Sequence, residues 1–150
     1  MKITLTPVEQ SIAKDVGTMR LEQCRADGVP NMKKGPQSDI EIDVLGSGAE
    51  IAFCKLWNLY PNLSSEKDSY DAMTKTGHKI DVKTTKYQSG RLLAVRHKVL
   101  NPADVYALML CEWPSYTFAG YATADELFDD ENLIDLGYGL TYGMTQDQLQ

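Results

Sequence analysis

Three acidic residues and one lysine have the types and the spacing that could form a metal site. Asp81 and Lys83 lie two residues apart in a β-like run, and alternate residues of a strand share a face. Gly77 separates this run from an earlier one that begins near Asp71, and a turn at Gly77 would bring Asp71 close to Asp81. Glu50, near the start of a predicted helix, could reach the same patch.

These side chains suit the hydrolysis of a phosphodiester. Mg²⁺ prefers oxygen ligands, usually carboxylates completed by water and substrate phosphate. Two carboxylates about 5 Å apart repel by roughly 3 kcal/mol at an effective dielectric constant of ~20, and a cation removes that repulsion. A divalent ion also lowers the pKa of bound water, while a nearby lysine can orient the water or stabilise charge on phosphate. We expect Mg²⁺, with Mn²⁺ able to substitute, and direct attack by water.

Each of these residues also has a structural interpretation, which the sequence leaves open. Asp81 and Lys83 could form an ion pair on an exposed strand, where such a pair adds little stability. Glu50 could stabilise a helix N-terminus through the helix dipole, and Asp71 could belong to a turn. Asp104 is interpreted as the opening of a strand.

Basic residues concentrate in one segment although the 150-residue chain has a net charge of −6. Residues 75–98 contain seven Lys or Arg and one Asp, whereas residues 99–150 contain nine acidic residues and no Lys or Arg. Because salt screens charge effects beyond about 8–10 Å, this segment can still attract phosphate. Expected DNA contacts are Lys75, Lys79, Lys86, Arg91 and Lys98. Arg25, Lys33 and Lys34 are expected to extend the same DNA-binding surface. A solvated hairpin rim is the alternative.

The hydrophobic pattern predicts an α/β protein with a mixed sheet. Thr6, Pro7 and Glu9 form a helix start, and this helix is predicted to reach about Arg25. A second helix is predicted from Ser47 to Tyr60, after a loop over residues 28–48 in which residues 40–44 form a short strand. Further strands are predicted at 69–74, 78–85, 91–96, 104–113 and 116–123, then a short helix at 123–128 and an irregular tail after 137.

Composition favours one domain in a reducing compartment. A length of 150 residues suits a single domain, and no apolar run is long enough for a membrane span. The N-terminus lacks an export signature. The three cysteines, Cys24, Cys54 and Cys111, form no CxxC pair and are interpreted as buried free thiols. We therefore expect a cytoplasmic protein. Trp57, Tyr60 and Trp113 are expected in the core, and His78 and His97 in solvent.

The order of the candidate residues resembles the PD-(D/E)XK nuclease superfamily, which has the restriction-endonuclease-like fold. The resemblance lies in a Gly-rich lead into the Glu-bearing helix (residues 46–53), the run Asp-Val-Lys-Thr-Thr (81–85) and strands at 103–106 and 118–123. It covers about residues 46–128. Tyr70 stands where the family has its proline.

This resemblance implies a mixed sheet of about five strands flanked by helices, with a helical N-terminal extension over residues 1–45. It implies that Glu50, Asp71, Asp81 and the Val82 carbonyl bind metal, and that Lys83 serves the attacking water as a base or an orienting group. The implied activity is Mg²⁺-dependent endonucleolytic cleavage of DNA by direct attack of water. Alternatives are a non-catalytic DNA- or protein-binding module and an RNA-directed nuclease. The structure of the DNA substrate is open, a homodimer is possible, and neither a membrane nor a nucleotide cofactor is expected.

Overall fold

The computed structural model describes residues 1–29, 37–64 and 70–150. The predictions for Lys33 and Lys34 lie outside the described residues. The helices are α1 (Pro7–Ala26), α2 (Asp39–Trp57) and α3 (Ala124–Leu127). The strands are β1 (Lys2–Thr4), β2 (Ala72–Met73), β3 (Lys79–Thr85), β4 (Leu92–Val95), β5 (Val105–Glu112), β6 (Ser115–Thr123), β7 (Leu133–Asp135) and β8 (Leu140–Met144). Short 3₁₀ helices occupy Arg96–Leu100, Asp130–Asn132 and Gln146–Gln148.

The strands form two sheets. The main sheet has five strands in the order β1-β6-β5-β3-β2, and the smaller sheet has three in the order β4-β8-β7. β3 and β5 are parallel, whereas the other neighbours in the main sheet are antiparallel. The prediction of an α/β protein with a mixed five-stranded sheet is therefore confirmed. The predicted strand over residues 91–96 belongs instead to the smaller sheet.

The central strand β5 separates two hydrophobic cores. Ala107, Met109 and Cys111 face the core that contains α1 and α2, as do Ile80 and Val82 of β3. Tyr106, Leu108 and Leu110 face the second core, which contains Leu92 and Ala94 of β4. β5 is apolar along most of its length because it is covered on both faces.

The first helix begins as its sequence predicts. The Thr6 side chain accepts a hydrogen bond from the N–H of Glu9, and the Glu9 carboxylate accepts one from the N–H of Thr6. This capping box fixes the start of α1 at Pro7. A second capping box, between Thr123 and Glu126, starts α3 within the short helix predicted over residues 123–128.

The second helix begins earlier than predicted. Ser38 caps α2 by accepting the N–H of Glu41 at 3.2 Å, so the predicted strand over residues 40–44 and the predicted start at Ser47 are wrong. The alternating apolar and acidic residues 40–44 fit a strand. Ile40 and Val44 are also four residues apart, and this spacing fits one face of a helix equally well. Contacts with α1 decide in favour of the helix.

Two ends of the chain also differ from the predictions. β1 pairs with β6, so the segment predicted as a helical extension adds a strand to the main sheet. The tail predicted to be irregular after Gly137 contains β8, which pairs with β4 and β7. Thr141 of β8 donates its hydroxyl to the carbonyl of Ala94 at 2.8 Å. Pairing between residues this far apart in sequence leaves little local signal.

The predicted surface and core are only partly as expected. His78 and His97 are exposed, and all three cysteines are free, but Cys24 is exposed rather than buried. Trp57 and Tyr60 are also exposed, at 45% and 80%, because they lie where α2 ends and leaves the sheet. Within the described residues, no helix is long and apolar enough to cross a membrane.

Close contact between α1 and α2 depends on Gly17. A Cβ atom at this position would lie 2.8 Å from the Cα and N atoms of Val44, and backbone atoms cannot move aside as a side chain can. Farther along α2, a Cβ at Gly48 would lie 2.3 Å from the Tyr116 hydroxyl, which itself donates to the Leu45 carbonyl at 2.9 Å. The two glycines fix where α2 lies on α1 and on the sheet.

We predict that Gly17→Ala destabilises the protein by about 1–3 kcal/mol, because the added methyl group forces the helices apart. Gly46→Ala is the matched control: position 46 is also helical, but nothing lies within 4 Å of its Cβ position. There the higher helix propensity of alanine should add about 0.5–1 kcal/mol. Urea unfolding measures both. Equal stabilisation by the two substitutions would contradict the proposed helix contact.

Candidate functional site

The hairpin of β2 and β3 ties Asp71 to the strand that carries Asp81. Gly77 forms the turn with a φ of +90°, and the N–H of Asp71 donates to the Ile80 carbonyl at 2.7 Å. The carboxylate of Asp71 accepts the N–H of Val82 at 2.7 Å. One backbone and one side-chain hydrogen bond thus hold Asp71 beside β3, as predicted from the turn at Gly77.

Asp81 is buried, with 3% of its surface exposed, and two lysines contact its carboxylate. The Lys83 ammonium lies 2.5 Å from Oδ1 and that of Lys98 lies 3.2 Å from Oδ2. Burial disfavours the charged form, but the two lysines outweigh it and lower the pKa of Asp81. Oδ1 is buried yet accepts no well-directed hydrogen bond from the described residues, since the Lys83 contact is an ion pair without hydrogen-bonding geometry.

Lys83 is protonated in this arrangement. Partial burial works against its charge, but Asp81 and Asp71 prevail and raise the pKa of the Lys83 ammonium. A cationic lysine can orient a water molecule or hold a phosphate oxygen, and it cannot accept a proton. In the metal-free protein, the raised pKa of Lys83 favours its predicted role as an orienting group over its predicted role as a base.

Glu50 lies in the middle of α2 and is 6% exposed. The helix-dipole interpretation therefore does not apply, because that effect is confined to the first and last turns. Arg20 of α1 donates through Nη1 to both carboxylate oxygens, at 2.8 and 2.9 Å. Nη2 of the same guanidinium donates to the Asn62 carbonyl at 2.7 Å. Arg20 thus connects the two helices and the segment after α2.

The three buried carboxylates influence one another's pKa values. Burial and the charge of Asp71 raise the pKa of Glu50 to about 8, against the opposing effect of Arg20. Burial and the charge of Asp81 raise the pKa of Asp71 to about 6. Asp71 thus has the strongest acidic influence on Glu50, and Asp81 has the strongest acidic influence on Asp71.

The three acids do not all face one side of the sheet. Asp81 alternates with Ile80 and Val82, which face the helices, whereas Glu50 projects from a helix on that same side. Among residues 1–29, 37–64 and 70–150, no three His, Cys, Asp or Glu side chains are arranged to hold a metal ion together. The closest approach to the predicted site is therefore the pair Asp71 and Asp81 beside Lys83.

The chemistry of this pair fits a hard divalent ion. Its donors are carboxylate oxygens, which Mg²⁺ prefers, and Asp81 Oδ1 is a buried acceptor without a directed hydrogen bond. Arg20, Lys83 and Lys98 balance the charges of the three acids. An ion would enter in competition with these cations.

The predicted DNA-contacting residues have different surroundings. Lys75 and Arg91 are exposed, whereas Lys86 pairs with Glu41 at 2.7 Å. Lys79 lies over the Tyr70 ring, 5.6 Å from its centroid. Arg25 is exposed at the end of α1.

Lys98 differs from the other predicted contacts because its ammonium lies at Asp81 rather than in solvent. The 3₁₀ helix after β4 brings it there, a non-local placement without a sequence pattern. Arg20 is a residue of the site that the sequence analysis did not name. It did leave a signal: Ala13, Val16 and Arg20 share a helix face, and the first two are buried. A charge on a buried face requires a partner.

We predict that Asp71→Asn stabilises the metal-free protein at neutral and higher pH. A raised pKa means that the folded state holds the proton more tightly than the unfolded state. The free energy of unfolding should therefore fall as pH rises between about 4 and 6 through Asp71, and up to about 8 through Glu50. Asparagine can still accept the Val82 N–H, so the gain at pH 8 should be about 1–3 kcal/mol.

Chemical unfolding in EDTA from pH 4 to pH 8 measures this effect. Asp104→Asn is the matched control, because Asp104 also accepts a β3 backbone N–H, that of Lys79 at 2.7 Å, but is exposed. Its effect should be much smaller. An Asp71→Asn protein with the pH dependence of the wild type would contradict the repulsion among the three acids.

Comparison with known proteins places the chain in a family without assigning an activity. No curated protein matches the sequence. The model of a family of unknown function, DUF5843, matches residues 1–149. This match does not link the chain to the PD-(D/E)XK superfamily, so that resemblance stays a prediction. Because the match spans nearly the whole sequence, the protein belongs to the DUF5843 family.

Proposed function

We propose that the protein is a divalent-metal-dependent deoxyribonuclease with a restriction-endonuclease-like fold. The observation that carries the proposal is the pair Asp71 and Asp81, held together on a hairpin with the Lys83 ammonium 2.5 Å from Asp81. Strand alternation and the turn at Gly77 predict this grouping. An ordinary surface ion pair is exposed, whereas here a buried aspartate lies between two lysines.

The order of the elements also supports the proposal. A Glu-bearing helix precedes the hairpin, and the strand with Asp81 and Lys83 runs parallel to β5 within a mixed five-stranded sheet. The resemblance implies such an arrangement. The absence of the proline at Tyr70 does not affect the donor atoms, which are side-chain oxygens of the next residue and of β3.

The residues that would hold the ion are Asp71 and Asp81, with the Val82 carbonyl implied by the resemblance and Glu50 next to Asp71. A bound divalent ion would supply an acidified water and polarise the scissile phosphate. Lys83, as a cation, would orient the attacking water and hold a non-bridging phosphate oxygen. Lys98 would add positive charge on the other oxygen of Asp81.

The structure also favours a second candidate, a non-catalytic binding module. Three cations match the three acids, and the described residues contain no ready three-carboxylate group. Such a network can be purely structural, because a buried charge needs a partner whether or not the site has a function. An RNA-directed nuclease would use the same residues, and matched DNA and RNA strands distinguish it from a deoxyribonuclease.

We predict that the purified protein cleaves DNA in Mn²⁺ or Mg²⁺ and that Asp81→Asn and Lys83→Met each reduce the rate at least 100-fold, because each removes a charge from the reacting centre. The assay is a panel of linear, circular, branched and single-stranded DNA. Lys14→Ala and Asp104→Asn, both at exposed positions, are the controls. Circular dichroism verifies folding. Cleavage at the wild-type rate by an Asp81→Asn, Lys83→Met double variant would refute the proposal.

A second measurement tests metal binding without relying on activity. At an ion concentration of about 100 Kd, binding adds about 2.7 kcal/mol of stability, which should raise the Tm of a protein of this size by about 5–10 °C. Asp81→Asn should abolish the shift, and KCl at equal ionic strength should not produce it. A wild-type Tm that is insensitive to Mg²⁺ and Mn²⁺ would favour the non-catalytic module.

A further inference from the structure

A groove adjoins the candidate site. Its volume is about 650 Å³, and it lies between α2, the end of β3 and the smaller sheet. Lys83 lines the groove and also contacts Asp81, so this side chain joins the groove to the candidate site. We call it the tyrosine groove after Tyr87 and Tyr138, which lie on different segments of its wall.

The charge of the tyrosine groove is opposite to that of the chain. Lys83, Lys86 and Arg91 line it, and none of its described lining residues is Asp or Glu, although the chain has a net charge of −6. Arg91 is exposed, while Lys86 is paired with Glu41. Clefts lined by one sign of charge concentrate ligands of the opposite sign. The groove therefore suits an anionic ligand.

Tyr87 is presented to solvent from a turn held by several hydrogen bonds. Tyr87 is 60% exposed, and its backbone N–H donates to the Thr85 hydroxyl at 3.2 Å. The Gln146 amide donates to the carbonyls of Gln88 and Gly90, at 2.7 and 3.0 Å. An exposed aromatic ring on a fixed turn can bind a ligand with little loss of conformational entropy.

Tyr138 is the second exposed ring of the groove, at 65%. It lies between Gly137 and Gly139, whose φ angles are +93° and +91°, a region that favours glycine. The N–H of Gly137 donates to the Asp135 carboxylate at 2.7 Å. The turn between β7 and β8 thus displays an aromatic side chain that does not serve the core.

We infer that the tyrosine groove binds single-stranded nucleic acid, with unpaired bases stacking on Tyr87 and Tyr138 and phosphates contacting Arg91 and Lys86. Aromatic platforms beside basic side chains bind single strands in this way. A volume of about 650 Å³ is in the range of small-ligand sites. It suits one or two unpaired nucleotides, whereas paired bases in a duplex do not expose their faces to a ring.

A role of the bound strand as the substrate for cleavage rests on the proposed function, but binding itself does not. Anisotropy of a fluorescein-labelled oligonucleotide in EDTA separates the two, since no cleavage occurs without metal. The wild type should bind a thymidine single strand at least 10-fold more tightly than a hairpin duplex. Tyr87→Ala and Tyr138→Ala should each weaken single-strand binding about 10-fold. Tyr60→Ala, an exposed tyrosine outside the groove, should bind as the wild type does.

Salt dependence tests the phosphate contacts. Each contact with a single strand adds about 0.7 to the slope of log K against log salt concentration. Arg91→Ala should reduce the slope by about that amount, whereas Lys14→Ala, at an exposed position outside the groove lining, should not. Arg91 is the better test than Lys86, because Lys86 already has an acidic partner.

The outcomes distinguish this inference from the nuclease proposal. Equal affinity for single strand and duplex, or tyrosine variants that bind like the wild type, would overturn the groove assignment even if metal-dependent cleavage is present. Single-strand binding that depends on both tyrosines would support it even if cleavage is absent. A matched RNA strand that binds as tightly as DNA would also support the groove, and a tighter one would identify RNA as the ligand.

Discussion

Repulsion among Glu50, Asp71 and Asp81 is the interaction on which the rest of the structure depends. Three acids at the edge of one sheet would oppose folding if each were ionised and alone. Arg20, Lys83 and Lys98 offset that repulsion. These cations come from α1, β3 and the segment after β4. The site therefore adds ionic contacts between parts of the chain that the two hydrophobic cores also hold together.

This arrangement explains why the same residues allow two functions. A network that neutralises its own charge is stable without a ligand, as a structural element would be. It also holds buried acids and a cationic lysine next to a groove lined by basic side chains. A divalent ion or a phosphate would alter the balance by replacing one of the internal partners, so occupancy and stability of the site are coupled.

Local patterns predicted much of the fold. The capping box at Thr6, the turn at Gly77 and the apolar run of β5 each depend on neighbours in sequence, and each is as predicted. Alternation along β3 also placed Asp81 and Lys83 on one face. The start of α2 was missed, because residues 40–44 fit two periodicities and only contact with α1 selects one. β8 was missed because it pairs with β4, which is far from it in sequence, and such pairing leaves little local signal.

Placement in space limited what the sequence could predict about the site. Proximity of Asp71 to Asp81 follows from one short hairpin. The position of Glu50 depends on how a helix lies on the sheet, and that depends on close contacts at Gly17 and Gly48. Arg20 was overlooked because a lone arginine in an amphipathic helix attracts attention only when its face is known to be buried.

The contact between Gly48 and Tyr116 has a consequence for sequence variation in this family. The hydroxyl occupies the space that any larger residue at position 48 would need, and it also anchors the carbonyl of Leu45. A change in size at one of the two positions requires an opposite change at the other. Otherwise the helix must slide or rotate and carry Glu50 away from Arg20. Paired substitutions at positions 48 and 116 would thus show where α2 lies on the sheet in relatives.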